Sequence, residues 1–397
     1  MNAYNVLIFL CGLVIFSYLF DLFAKRTRIP SVLLLLVLGM GLRLIADHFA
    51  FKLFDIQQLL PALGTVGLIL IVFEGALDLT YESSKRIFIR KAFVGALVLL
   101  LVTTAAIAAI LETVTAAPPH ACIANAIPLS VISSAVAIPS ASGLLPQQKE
   151  FVTYESSFSD ILGIILFNFI VTNDSFGAGA FGHLSMEIIA VLLLSAVFSM
   201  ALLWTLGRIK HHVKFFLILS ILVLVYAVGK QFHLSSLVVV LAFGIFLANA
   251  DQFPSAWFKA KFLYPDFVRD MEQFHSLSRE SAFLIRTFFF VLFGYGVDRM
   301  QLADQDTAIL CGLLLVVTYL LRGVFLKLAL GMDLRPLVYM SPRGLISILL
   351  YVSLPPDLQI PSVGMGLLFM LVIATCSVMA LGLMGNKLRP LEAEATP

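Results

Sequence analysis

Long runs of apolar residues, separated by short polar loops, fill this sequence almost from end to end. A helix needs about 20 apolar residues to cross the ~30 Å hydrocarbon core of a bilayer, so the runs predict about thirteen transmembrane helices, called spans 1 to 13 below. Their ranges are 3–24, 29–46, 57–79, 89–111, 120–145, 151–172, 185–207, 213–230, 234–250, 280–297, 307–329, 336–354 and 363–386.

The composition supports an all-α polytopic membrane protein and excludes a soluble domain. Of the 397 residues, 60% are hydrophobic and 13% are charged, and a soluble core does not account for such a balance. No P-loop and no H-E-x-x-H motif is present, so the sequence indicates no nucleotide or zinc chemistry, no cofactor and no nucleic-acid partner. The four cysteines lack paired spacing, which indicates packing residues rather than disulfides. They are Cys11, Cys122, Cys311 and Cys376.

Basic residues are concentrated in every second loop, which predicts the orientation of the chain in the membrane. One set of loops is rich in basic residues: Lys25, Arg26, Arg28, Lys85, Arg86, Arg90, Lys91, Lys149, Arg208, Lys210, Lys214, Lys259, Lys261, Arg269, Arg279, Lys327, Arg335, Lys387 and Arg389. The other set has only Arg43, Lys52, Lys230 and Arg299. By the positive-inside rule, the N-terminus is external and the C-terminus is cytoplasmic, in a plasma or inner membrane. Span 1 lacks a basic leader region and a cleavage site, so it is expected to be a retained helix.

Two segments recur with similar spacing. Span 2 carries Ser31, Gly39 and Leu42, and span 9 repeats the offsets with Ser236, Gly244 and Leu247. Residues 73–78 end span 3 much as residues 293–298 end span 10. Both pairs lie seven spans apart, and an odd offset reverses direction across the membrane. The pattern predicts two inverted-topology repeats, with coincidence in helices rich in Leu and Gly as the alternative.

This repeat defines the expected domain organisation. A single transmembrane domain covers 1–386, with repeat one at 1–172, a linking span at 185–207 and repeat two at 213–386. A short cytoplasmic tail, 387–397, follows, and no attached regulatory domain is expected. The long cytoplasmic loop from Asp251 to Arg279 is either an interfacial amphipathic segment or a plain linker.

The repeat pairs span 5 with span 12, and both contain residues that interrupt helices. Span 5 carries Pro128, Ser133-Ser134 and Pro139, and span 12 carries residues 341–344, with the sequence SPRG. Discontinuous helices expose free carbonyls and half-helix ends that coordinate ions, and they are tolerated where they line a cavity or are buried in protein. We therefore expect two crossed, broken helices, with ordinary proline kinks as the alternative.

Span 6 contains two carboxylates, Glu155 and Asp160, inside an apolar segment. An ionised side chain at mid-bilayer costs roughly 2.5–3.5 kcal/mol even on the insertion scale, so such acids usually handle ions or protons. A helix beginning near Phe151 would place Asp160 about 13 Å along its axis. Ser156 shares a face with Asp160, and Ser159 shares one with Glu155, which gives two adjoining polar lines.

Other charges are predicted at a similar depth. Arg286, Arg322 and Arg343 lie inside spans 10, 11 and 12, and Glu74 lies near the cytoplasmic end of span 3. Buried charges need partners, so some of these groups must form structural ion pairs. Spacing alone does not assign the pairs.

Four segments carry a family resemblance. Residues 154–160 read YESSFSD and resemble the Gly-Glu-Ser-x-x-Asn-Asp motif of the sodium/proton exchanger branch of the cation:proton antiporter superfamily. Residues 73–79 (FEGALDL), 320–328 (LLRGVFLKL) and 342–349 (PRGLISIL) are similar to that branch's third, eleventh and twelfth spans. The resemblance extends from about Ile29 to Met384.

The resemblance implies roles for individual residues. Asp160 would be the site where cation and proton compete, with oxygens from Ser156 and Glu74, and Glu155 would pair with Arg322. It also implies a homodimer. Ser159 replaces the motif's Asn, and the acid of span 5 is missing, its position falling on Ile138 or Val131. Ser133 and Ser134 are the hydroxyl ligands expected in its place.

The sequence is therefore interpreted as a secondary antiporter, not an enzyme, that exchanges a monovalent cation for protons by alternating access and serves pH homeostasis. Sodium is the expected ion, with potassium and lithium left open, and Ser159 cannot ionise, so electroneutral exchange is expected. Membrane lipid and a second copy of the chain are the expected partners. A sodium-coupled organic anion symporter and a non-transporting channel or sensor are the alternatives.

An intramembrane enzyme is a further alternative of a different class. Ser142-Gly143 or the serines of span 6 would then need a histidine base. All histidines lie in or beside loops, which disfavours this interpretation. They are His48, His120, His183, His211, His212, His233 and His275.

Overall fold

A computed structural model describes residues 3–27, 29–48, 56–80, 85–173, 178–209, 215–232, 234–253, 255–297, 304–330 and 334–385. Throughout these ranges the regular structure is helical, which confirms the all-α fold. The helices are α1 Ala3–Thr27, α2 Ser31–His48, α3 Ile56–Leu77, α4 Arg86–Thr115, α5 Pro119–Ser130, α6 Ser134–Ser140, α7 Pro146–Thr172, α8 Ala178–Arg208, α9 Phe215–Gln231, α10 Ser236–Ala248, α11 Ala256–Phe262, α12 Phe267–Gly296, α13 Gln305–Phe325, α14 Leu345–Val352 and α15 Met365–Gly385.

Several predicted features fall outside the described residues. These are the tail 387–397, Asp298 at the end of the second repeated segment, Arg28, Lys52, Lys210, Lys214, Arg299, His211, His212 and His233. In the described part of the chain, seven segments are long and apolar enough to cross a bilayer, and four shorter helices are also apolar. The total of thirteen spans stays a prediction.

The loop expected between Asp251 and Arg279 is largely helical. α11 occupies Ala256–Phe262, and α12 begins at Phe267, well before the predicted start of span 10. Phe267, Phe274 and Ser278 are buried along one side of this early part of α12. Hydropathy missed it because the other side is polar, so only the helical spacing of the buried residues marks the helix.

α7 also begins earlier than expected, at Pro146 rather than near Phe151. Proline suits the first position of a helix, where its missing N–H costs nothing. The polar turn that follows it, residues 147–150, carries no hydropathy signal. Asp160 therefore lies about 21 Å from the start of the helix, at 1.5 Å per residue, instead of about 13 Å.

Glycines allow the closest helix contacts in the core. A Cβ on Gly39 of α2 would collide with the backbone of Val291 in α12, and one on Gly294 would collide with the backbone of Leu36. Gly244 of α10 packs in the same way against Phe73 and Ala76 of α3. In each of these pairs one helix belongs to predicted repeat one and the other to predicted repeat two, and the repeat itself stays a prediction.

Two helix breaks meet at the centre of the molecule. α5 ends at Ser130, residues Val131–Ser133 are extended, and α6 begins at Ser134. The chain is likewise non-helical from Met340 to Gly344, before α14. The N–H of Ser133 donates to the carbonyl of Pro342 at 3.0 Å, so the two breaks contact each other directly. The first break lies between the prolines of span 5, not at a proline kink, and the expected crossed discontinuous helices are present.

Candidate functional site

Asp160 lies beside the break between α5 and α6. Its side chain is buried, with the residue 8% exposed. The backbone N–H of Ser134, the first residue of α6, donates to Oδ2 at 3.0 Å. Oδ1 has no hydrogen-bond partner among the described residues. One oxygen of this carboxylate is thus anchored to the broken helix, and the other is buried without a partner among the described residues.

The predicted serines differ in their contacts with this break. Ser159 Oγ accepts the N–H of Ile132 at 2.9 Å, so α7 satisfies two N–H groups at the break. Ser156 Oγ donates to Val152 O at 2.7 Å and keeps its lone pairs. Ser133 Oγ is fully buried and has no partner within the part of the chain that is described. A buried hydroxyl is costly to leave unpaired, so Ser133 stays a predicted ligand rather than a residue whose hydrogen bonds are all satisfied.

Glu74 of α3 faces Arg286 of α12. Arg286 Nη2 lies 3.2 Å and 3.1 Å from the two carboxylate oxygens. Arg286 Nη1 donates to the carbonyl of Ala135 at 3.2 Å, one residue beyond Ser134. This ion pair therefore also holds the first turn of α6, next to the backbone that binds Asp160.

Glu155 and Arg322 form a second, deeper pair. Nη1 and Nη2 of Arg322 donate to Oε1 and Oε2 of Glu155 at 2.9 Å and 2.8 Å, a two-pronged geometry. Arg322 Nε donates to the carbonyl of Leu337 at 2.9 Å. The side chains are 2% and 1% exposed. The pair joins α7 to α13 and to the chain segment that leads into the second break.

Arg343 has backbone partners rather than an acid. Its Nε donates to Leu129 O at 2.5 Å, in the last turn of α5, and its Nη1 donates to Ser341 Oγ at 3.1 Å. No carboxylate among the described residues lies within ion-pairing distance of it. The carbonyl end of a helix carries partial negative charge, so this guanidinium neutralises the interrupted end of α5.

A cavity of about 1110 Å³ leads toward the site. Its lining includes the exposed Lys149 and Arg279 as well as Arg335, all from loops predicted to be cytoplasmic. It also includes Glu74, Arg286 and Ser134. Asp160 is not part of the lining and lies one hydrogen bond behind Ser134.

A smaller cavity of about 360 Å³ lies farther along α7. Asn168, Lys230, Ser235 and Leu349 are among its lining residues, and Lys230 belongs to a loop predicted to be external. Asn168 Nδ2 donates to Ser235 Oγ at 2.6 Å, which joins α7 to the start of α10. Asn168 is eight residues, about 12 Å along the helix, from Asp160. The two cavities approach the acid from opposite ends of α7.

Comparison with known proteins gives a family. A family model described as "Sodium/hydrogen exchanger, transmembrane" matches residues 10–386. Two solved structures of the sodium proton antiporter MjNhaP1 from Methanocaldococcus jannaschii are similar to the chain. The first, at pH 8, has TM-score 0.71 and 19% identity and covers 97% of this chain and 100% of that one. The second, an electron-microscopy map, has TM-score 0.69 and 20% identity and covers 97% and 95%.

No sequence match was found among curated proteins. The structural matches extend over nearly the whole chain, and at this level of identity they show that the fold is shared. The family model spans nearly the whole chain and agrees with the resemblance at residues 73–79, 154–160, 320–328 and 342–349. The chain belongs to the sodium/hydrogen exchanger family of membrane antiporters.

Proposed function

We propose that this protein exchanges a monovalent cation, sodium first of all, for a proton at Asp160. One observation carries the proposal: Glu74 and Glu155 are each bound by an arginine, whereas Asp160 has no basic side chain within ion-pairing distance in the described part of the chain. Protonating an acid that pairs with an arginine would leave the guanidinium without its partner, which disfavours proton exchange at Glu74 and Glu155. Asp160 is free to alternate between two ligands.

The cation ligands that we propose are oxygens around the break. Asp160 Oδ1 and Ser133 Oγ are two of the buried oxygens that have no hydrogen-bond partner among the described residues. The hydroxyls of Ser156, Ser159 and Ser134 supply further oxygens, and sodium prefers such hard ligands. Together they would replace the missing acid of span 5. Glu74 adds negative charge in the cavity wall next to Ser134, balanced by Arg286.

Alternating access is supported by the two cavities. The larger one contains residues from loops predicted to be cytoplasmic, and the smaller one contains Lys230 from a predicted external loop. In this proposal the structure is open to the cytoplasm, and the hydrogen bond from Asn168 to Ser235 lies on the closed external path. The external N-terminus, the cytoplasmic C-terminus and the homodimer belong to the same proposal.

In this proposal the exchange is electroneutral, because the other acids of the site are paired with arginines. Glu155 pairs with Arg322 and Glu74 pairs with Arg286, and in this proposal neither acid exchanges a proton during the cycle. Asp160 is then the one carboxylate that titrates, and it trades one proton for one monovalent cation. The organic anion symporter and the enzyme are not favoured, because the family match is to exchangers.

The experiment is ion-driven dissipation of a pH gradient in proteoliposomes. Asp160→Asn keeps the shape of the side chain and its hydrogen bond to Ser134, but it cannot trade a proton for a cation. We expect it to fold and to show no sodium-driven proton flux. Asp357→Asn, at an exposed acid in a short 3₁₀ turn, is the control and must retain wild-type flux. Residual exchange in folded Asp160→Asn refutes the proposal.

A further inference from the structure

The two tryptophans of this chain lie on neighbouring helices, each beside a basic side chain. We call the group formed by Trp204, Arg208, Trp257, Lys259 and Lys261 the basic aromatic patch. All five residues are exposed. The basic members belong to loops or helix ends predicted to face the cytoplasm. The exchange mechanism uses none of them.

The first half of the patch is the end of α8. The guanidinium carbon of Arg208, its last residue, lies 3.8 Å from the centroid of the Trp204 ring. The neighbouring Gly207 faces Tyr264, whose ring would lie 3.6 Å from a Cβ at that position. This contact places the end of α8 against the connection between α11 and α12, so the two halves of the patch are adjacent.

The second half is α11, which is fixed by an aromatic cluster. Phe258 is buried, with its ring centroid 6.0 Å from Phe246, 5.1 Å from Phe253 and 5.2 Å from Phe262. Ser255 caps the helix by accepting the N–H of Phe258. With Phe258 turned inward, Trp257 is 63% exposed and lies 4.8 Å from Lys261 Nζ. The buried Phe258 therefore leaves Trp257, Lys259 and Lys261 on the outer surface of α11.

The three basic side chains are available to bind an anion. None forms an ion pair within the described residues. Of the nearby acids, Asp266 pairs with Arg269 and Asp270 accepts from the Tyr264 hydroxyl. Asp251 forms no ion pair with the three bases within the described residues. Positive charge is thus uncompensated beside two exposed indole rings.

We propose that the basic aromatic patch binds the phosphate headgroup of an anionic phospholipid at the membrane surface. Tryptophan favours the level of the headgroups, where its ring is in the apolar boundary and its N–H is hydrated. Lysine and arginine side chains reach outward from this level to the phosphates. Each basic residue near an anionic surface contributes about a fivefold preference. The patch would hold α11 at the interface on the cytoplasmic side.

Tryptophan fluorescence tests this directly, because both tryptophans of the chain report on the patch. Wild-type protein is reconstituted with brominated phosphatidylglycerol or brominated phosphatidylcholine at low mole fraction. We expect the anionic lipid to quench with at least about a fivefold higher apparent association constant. The preference should fall in ~1 M salt, where the Debye length is about 3 Å.

The triple variant Arg208→Gln, Lys259→Gln, Lys261→Gln should lose the preference for anionic lipid. The ratio of the two apparent association constants should then be near one. The control is Arg86→Gln, Arg90→Gln, Lys91→Gln, which removes three exposed charges from the start of α4 on the same predicted side and should keep the ratio. Equal quenching of wild type by both lipids overturns the proposal. Absence of quenching, which is expected if a second copy of the chain covers the patch, also overturns the proposal. Equal competition by soluble glycerol phosphate overturns it as well. If unbrominated anionic lipid reduces the quenching of the wild-type protein, the proposal is supported independently of the variants.

Discussion

The pair Glu155–Arg322 is predicted to be a major stabilising element, and its removal can be given a magnitude. The two nitrogens and two oxygens meet at 2.9 Å and 2.8 Å in a site with almost no solvent exposure. Glu155→Ala leaves the guanidinium buried with only the carbonyl of Leu337 as partner. Arg322→Ala leaves a buried carboxylate without its partner, while the Leu337 carbonyl still accepts the N–H of Met340.

Removing one member of a buried pair typically costs about 3–5 kcal/mol, because the remaining charge has lost its partner. In a chain of this size 1 kcal/mol corresponds to roughly 2 °C in the unfolding midpoint. Each single variant should therefore melt about 6–10 °C below wild type. The double variant leaves no unpaired charge and should lose about as much as one single variant, which is a coupling of about 3–5 kcal/mol in magnitude.

The assay is thermal unfolding in detergent of the four proteins that form this double-mutant cycle. Arg269→Ala is the control, because its pair with Asp266 is 3.9 Å long and 61% and 63% exposed. An exposed pair contributes no more than about 1 kcal/mol, so its midpoint should move by less than about 2 °C. Additive losses in the double variant of Glu155 and Arg322 would refute the reasoning.

Two further predictions concern charge and packing. Exchange should be insensitive to membrane potential in proteoliposomes clamped with potassium and valinomycin. A rate that shifts with voltage, and stops shifting in Glu74→Gln, would show that Glu74 carries a second proton. Gly294→Ala should cost about 1–3 kcal/mol of stability, because the added methyl meets the backbone of Leu36. Gly312→Ala, where the space is open, should cost nothing, and an equal loss at both glycines would contradict the close contact of α2 with α12.

The break in span 5 and the carboxylate beside it were both predictable from sequence. An intramembrane acid is rare enough to mark a site, and serines between two prolines mark an interrupted helix. The contact of Ser134 with Asp160 was not predictable. It depends on the direction of one backbone N–H, which no side-chain pattern encodes.

The partners of two of the three arginines inside the spans could not be predicted from the sequence. The predicted depth in the membrane placed Arg286, Arg322 and Arg343 in one layer. Only tertiary packing decides that Arg286 faces Glu74. The sequence assigned no partner to Arg343, and its partners in the structure are a helix-end carbonyl and Ser341. The signal available in advance was the broken helix itself, whose free carbonyls attract a cation. The early start of α12 was missed because hydropathy disregards a helix with a polar side.

Competition at Asp160 is the central claim, and the sodium dependence of exchange at several pH values tests it most directly. If one carboxylate binds either ion, protons raise the sodium concentration needed for half-maximal rate. Below the pKa of the site this concentration should rise about tenfold for each unit fall in pH, by mass action, while the maximal rate at saturating sodium is unchanged. A half-maximal concentration that stays constant with pH while the maximal rate falls would mean that proton and cation occupy different sites.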